Sequence, residues 1–105
     1  MTGFYGVQGN PISDAVGEAL MADIESRRFS HEVVDTDAGP VEVSTMFIPR
    51  DMRSAEDIEQ GRPPLIFETA ALLDDNEIAM ERRSTGAEAA QAHFDVLSRV
   101  QSGRL

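Results

Sequence analysis

Leu65-Ile66-Phe67-Glu68-Thr69-Ala70-Ala71-Leu72 is the most apolar run of the chain. Pro63-Pro64 precedes it and Asp74-Asp75-Asn76 follows, so a short buried segment lies between two breakers, which predicts a central β-strand. Beyond the turn, Glu77 to Arg82 alternates in polarity with Ile78 and Met80 on one face, which predicts a hairpin partner. Upstream, Val41 to Ile48 alternates as well: Val41, Val43, Thr45 and Phe47 face one way, and Glu42, Ser44, Met46 and Ile48 face the other. His31 to Thr36 is a further strand, joined to it through Asp37-Ala38-Gly39-Pro40 as a second hairpin, and Pro49 ends the pair.

Helices flank these strands. Ser13 caps a helix expected over Asp14 to Arg27, with Val16, Leu20 and Ile24 as its apolar stripe. Arg27 and Arg28 suit its negative end, and Gly17 weakens it by about 1 kcal/mol relative to Ala. Thr85 stands three residues before Glu88, a capping box that opens a helix from about Gly86 to Ser102. Its buried stripe is Ala89, Ala92, Val96 and Val100, with His93 and Leu97 alongside. The expected fold is α+β. A single antiparallel sheet of about four strands, in two hairpins, carries an N-terminal and a C-terminal helix on one face. The 105 residues read as one small domain. Residues 1–10 form an arm bearing Phe4 and Tyr5, and residues 49–64 form a long charged loop with a capped turn at Ser54 and Asp57.

Charge limits the function classes. With 19 acidic residues against 9 Arg and no Lys, the net charge is -10. Such a surface repels phosphate backbones and anionic leaflets, so neither direct nucleic-acid binding nor membrane docking is expected. The chain has no Cys and two His, which leaves no thiolate site, no disulfide and no expected metal or cofactor. No run is long enough to span a bilayer and no leader pattern is seen, so the expected compartment is the cytoplasm.

No phosphate loop, nucleophile elbow or paired-histidine motif is present, and no residue is assigned as catalytic. Glu68 stands out as a carboxylate inside the most apolar strand, and burial of such a group alone costs several kcal/mol. It needs water, a hydroxyl or an Arg. Ser44 and Thr45 on a neighbouring strand, and Arg82 on the next, are its candidate partners. One reading makes Glu68 a polar residue on the solvent face. The other gathers Ser44, Thr45, Glu68, Thr69, Arg82 and His93 into a ligand-binding hollow. His93 is either a core histidine bonded to a strand or the partner of Glu68 in an acid–base pair.

Five phrases also occur in series: Gly9-Asn10-Pro11-Ile12-Ser13; Val43-Ser44-Thr45-Met46-Phe47; Pro63-Pro64-Leu65-Ile66-Phe67-Glu68-Thr69; Arg82-Arg83-Ser84-Thr85; and Glu88-Ala89 through His93. In order and spacing the chain resembles, over nearly its whole length, a family of small proteins of tailed phages, prophages and GC-rich bacteria. That family reads Asp-His where this chain has Asp51-Met52, Tyr where it has Arg83, and Gly where it has Ala92. The lost histidine argues against a two-histidine catalytic site. The resemblance implies a host-cell cytoplasmic setting and brings no established reaction.

Three functions therefore stand as expectations. The first is a small acidic accessory protein that acts by binding, as a counter-defence factor or as a homo-oligomer, with a host protein or a small signalling nucleotide as ligand. The second is a hydrolase-like enzyme using Glu68 and His93. The third is a DNA mimic that inhibits a host nuclease, although the carboxylates are scattered along the chain.

Overall fold

Both hairpins form, and they join edge to edge. The computed structural model describes residues 3–103, so Met1 and Thr2 of the expected arm lie outside the described residues. The main sheet comprises β3 (Arg28–Thr36), β4 (Gly39–Phe47), β5 (Phe67–Leu73) and β6 (Asn76–Arg83), antiparallel throughout in the order β3-β4-β5-β6. β1 (Phe4–Tyr5) and β2 (Pro11–Ile12) make a separate two-stranded ribbon. The helices are α1 (Asp14–Ala22), α2 (Ile24–Arg27), α3 (Ala55–Glu59) and α4 (Gly86–Gln101). This is the α+β architecture the alternating strands predict, with α4 laid along one face of the sheet.

The hairpin turns use two different devices. In the first, Thr36 Oγ1 donates to the Gly39 carbonyl (2.7 Å) and accepts from Ala38 N (3.2 Å), and Gly39 takes a φ of 123° that favours glycine. In the second, Asp74 and Asp75 both adopt left-handed backbone (φ 51° and 64°), the geometry that matches strand twist in a two-residue turn.

Alternation along β4 and β5 decides what is buried. Val41, Val43, Thr45 and Phe47 are buried, and so are Phe67, Thr69 and Ala71, while the residues between them are part-exposed. α4 covers that face with Ala89, Ala92, His93, Val96 and Val100, and its start is held by the Thr85–Glu88 capping box. The core divides into two clusters. Val41, Val43, Ala71, Val96 and Val100 form one; Phe47, Ile66, Phe67 and Ala89 form the other. Each large side chain removed from water here stabilises the fold by about 1.5–3 kcal/mol. Along β4, β5 and α4, the residues between the clusters are Thr45, Thr69 and His93.

Two expectations need correction. Val16 (50 % exposed) and Ile24 (54 % exposed) are not a buried stripe. The helix breaks at Asp23, whose side chain accepts from Ser26 N to start α2, and Ile24 leaves the helical register. Leu20 alone reaches the core, while Gly17 is buried against the Phe4 ring, where a Cβ would overlap the ring carbons. Ile78 and Met80 do not share a face. The β5–β6 register shifts between Ala71 and Leu72, and this bulge turns Ile78 to the helix side, while Met80 pairs with Ala70 on the other. The loop 49–64 is tied down from within: buried Asp51 accepts from Arg53 N, Arg53 Nε and Leu65 N at 3.0, 2.7 and 3.2 Å. Its expected turn is α3, with the Ser54–Asp57 capping box in place. Arg27 does serve the end of α1, donating to the Met21 carbonyl (3.0 Å) and to that of Phe47 (3.2 Å).

Candidate functional site

The six candidate residues do not converge, because the pleat divides them. Ser44 pairs with Ala70, and Glu68 pairs with Met46 and Arg82; all belong to the face that α4 leaves uncovered. Thr45, Thr69 and His93 lie on the covered face, each no more than 6 % exposed. Side chains one residue apart on a strand point to opposite faces, so Glu68 and Thr69 cannot share a hollow. The Glu68–His93 acid–base pair is not assembled.

On the covered face the polar residues form a continuous chain. Thr69 Oγ1 lies 2.6 Å from Thr45 Oγ1, Thr45 Oγ1 lies 2.8 Å from His93 Nδ1, and His93 Nε2 lies 2.9 Å from Glu32 Oε1. With the ring proton on Nε2, every link is satisfied in one direction. Thr69 donates to Thr45, Thr45 donates to Nδ1, and Nε2–H donates to the Glu32 carboxylate. The carboxylate–imidazole–hydroxyl order is that of a nucleophile and its base, but here it is sealed: Thr45 and Thr69 are each 1 % exposed, between two apolar clusters and under α4. A substrate carbonyl has no route to either hydroxyl. What the chain does is fix α4 in place. A slide of the helix by one turn would set His93 against Val43 or Phe47 and leave buried polar atoms unpaired, at a cost of about 1–3 kcal/mol each.

The uncovered face is arranged in rows across the sheet. The middle row is His31, Ser44, Ala70 and Met80; beside it run Met46, Glu68 and Arg82, and on the other side Val33, Glu42, Leu72 and Glu77. Glu68 meets Arg82 (Oε2 to Nε, 3.5 Å), so the strand carboxylate has found the Arg expected for it. His31 meets Glu42 (Nε2 to Oε1, 3.0 Å). The apolar side chains among these pairs are Met46, Ala70, Leu72 and Met80, all half-buried, and Val33, which is 59 % exposed. The face is of mixed polarity: Glu68–Arg82 and His31–Glu42 pair across strands, Glu77 is in no ion pair among the described residues, and toward the hairpin end a hollow of about 300 Å³ is lined by Val33, Pro40, Glu42, Leu72, Asp74 and Asp75.

Sequence reasoning missed Glu32 and His31. Both lay in the predicted strand, and their alternation with Val33 and Val34 would have assigned one to each face. Met46 and Met80 carried no signal beyond strand position. Among the described residues no cluster of three or more His, Asp or Glu side chains is placed to hold a metal, and no helix is long and apolar enough to cross a membrane. Compared with protein-family models, with curated proteins and with solved structures, the chain finds no match in any of the three.

Proposed function

We propose that this chain is a small acidic accessory protein of phage or prophage type that acts by binding, with a host protein as its partner and the uncovered sheet face as its contact surface. The observation that carries the reading is the unequal cover of the sheet. One face is closed by α4 over a satisfied polar chain, while the other leaves a four-stranded surface of Met, Leu, Val and paired charges without a second layer. Contiguous apolar surface rimmed by polar groups is characteristic of protein contact sites, and Met side chains adapt well to a partner. The five sequence phrases shared with the phage family support the setting. A signalling nucleotide is less well served: the hollow on this face is lined by Glu42, Asp74 and Asp75, its Arg82 is engaged by Glu68, and the net field of the chain opposes phosphate.

The test is quantitative cross-linking and capture from host cells with the wild type, with Met80→Glu/Arg82→Glu on the open face, and with Phe94→Glu on the outer side of α4. Circular dichroism confirms that each variant is folded. The reading expects a protein held by the wild type and by Phe94→Glu and lost from the open-face variant. Equal retention by all three removes it, and calorimetric binding of a nucleotide panel would replace it with the nucleotide alternative.

A further inference from the structure

We propose that the partner of the open face presents a basic surface and places an Arg side chain in the hollow at the hairpin end of that face. The proposal rests on the reading of the open face as the contact surface and names the chemistry of what it meets. The hollow, about 300 Å³, has Val33, Pro40 and Leu72 as apolar walls and Glu42, Asp74 and Asp75 as its carboxylates. Val33 is exposed and Leu72 is half-buried, so the methylene stem of a long cationic side chain laid between them leaves water while its head reaches the acids. The strand register adds two more carboxylates on the same face: Asp35 opposite Pro40, and Glu77 opposite Leu72.

Carboxylates at hairpin turns are common and by themselves specify no ligand. Here they ring an apolar-walled hollow on a sheet face that no second layer covers. Asp35, Asp74, Asp75 and Glu77 are exposed and, among the described residues, in no ion pair. Glu42 is met by His31. The strands and turns from Asp35 to Phe47 and from Phe67 to Glu81 contain no basic residue, so the negative field at this end is left for a partner to match. Farther along the face Glu68 is matched by Arg82, which gives the surface a direction from acidic to neutral. Among the described residues no three Asp, Glu or His side chains converge to hold a metal ion, so the carboxylates are spread for a larger cation. A guanidinium offers five donors in one plane and can be shared among several carboxylates. Two residues along β5 from Leu72, about 7 Å away, Ala70 pairs with Met80, so the partner's apolar contact lies about that far from its Arg. A second copy of this chain, with a net charge of -10, would bring like charge to the acidic end.

NMR titration of the backbone amides with a Gly-Ser-Arg-Ser-Leu-Ser-Gly peptide, blocked at both ends, tests the site. Controls are the same peptide with neutral citrulline for Arg or with Ser for Leu, and the protein variants Asp74→Asn/Asp75→Asn and, on the outer side of α4, Phe94→Ser. Asn is at ease in left-handed backbone, so the double variant keeps its turn. The expected result is saturable shifts at Val33, Asp35, Glu42, Leu72 and Asp75, with binding weakened about tenfold or more by citrulline or by Asp74→Asn/Asp75→Asn. Ser for Leu also weakens binding, and Phe94→Ser binds within about twofold of the wild type. The proposal is overturned by an absence of shifts, by shifts spread equally to acidic residues off the face such as Asp14 and Glu18, or by equal binding of either control peptide or of the double variant. A wild-type dimer that Met80→Glu/Arg82→Glu dissociates overturns it too, by assigning the face to a second copy. In the capture from host cells, loss from Met80→Glu/Arg82→Glu with full retention by Asp74→Asn/Asp75→Asn sinks the basic partner alone and leaves the open-face reading standing; equal retention by every variant sinks that reading itself.

Discussion

Glu68 and Thr69 are adjacent in the chain, and each meets a polar partner, yet the two contacts belong to different kinds of structure. Thr69 enters a sealed chain through Thr45 and His93 to Glu32, between two apolar clusters. Glu68 meets Arg82 on an open sheet face, in reach of water. The two histidines repeat the contrast. His31 pairs with Glu42 on the open face with a side chain 35 % exposed, and His93 pairs with Glu32 under α4 with a side chain 7 % exposed. The same types of polar group are buried between apolar clusters on one side and reach solvent on the other. Burial, which raises the cost of an unmade hydrogen bond, accounts for the difference.

The contrast breaks most readily at His93. His93→Ala should cost about 2–4 kcal/mol in urea denaturation, because it leaves a cavity and strands the Thr45 hydroxyl. A loss below about 1 kcal/mol would mean that the chain holds nothing. Gly17→Ala comes next. Helix propensity alone would favour the change by about 1 kcal/mol, but the Phe4 ring occupies the space, so a net loss of about 1–3 kcal/mol is expected in the same measurement. A gain would show that Phe4 is not seated as described. A smaller and more pointed comparison sets Thr69→Val against Ser44→Ala. The first removes the donor at the end of the buried chain and should cost about 1 kcal/mol; the second changes the open face and should stay within about 0.5 kcal/mol. Equal costs would erase the distinction between the faces.

The smallest effect lies in acid. The Asp57 carboxyl is held below its ordinary value of 3.8 by hydrogen bonds from the Ser54 backbone and side chain, aided by Arg62 and Arg53. A lowered folded value means that the support for α3 is whole above the ordinary value and is lost as pH falls through the lowered one. Amide resonances of Ala55–Glu59 should therefore hold steady near neutral pH and shift only in strong acid. A shift that begins near neutrality would contradict the cap.

Much of the fold was legible in the sequence. Alternation in Val41 to Phe47, the apolar run ending at Leu72 and the Thr85–Glu88 box each act over a few residues, and each specified its element. The N-terminal helix was harder. Its break at Asp23 and the burial of Gly17 depend on Phe4 arriving from a distant ribbon, which spacing alone does not encode. The bulge that separates Ile78 from Met80 shifts the face of a strand by one residue, and nothing in the alternation marks it. The candidate site went astray for a different reason. Glu68 and Ser44 carried the right signal, a polar residue that needed Arg82, but Thr45, Thr69 and His93 were pooled with them across the pleat. The alternation already assigned to Val41 through Ile48 separates Ser44 from Thr45, and the same rule applied to the strand through Glu68 separates it from Thr69.

Because each face holds one of the only two histidines, their reactivity tests the division of the sheet most directly. Native protein treated briefly with diethyl pyrocarbonate and digested for mass spectrometry should carry the modification on His31, with His93 protected until urea unfolds the chain. Modification of both rings at similar rates in the native state would contradict the sealed chain and, with it, the assignment of separate roles to the two faces.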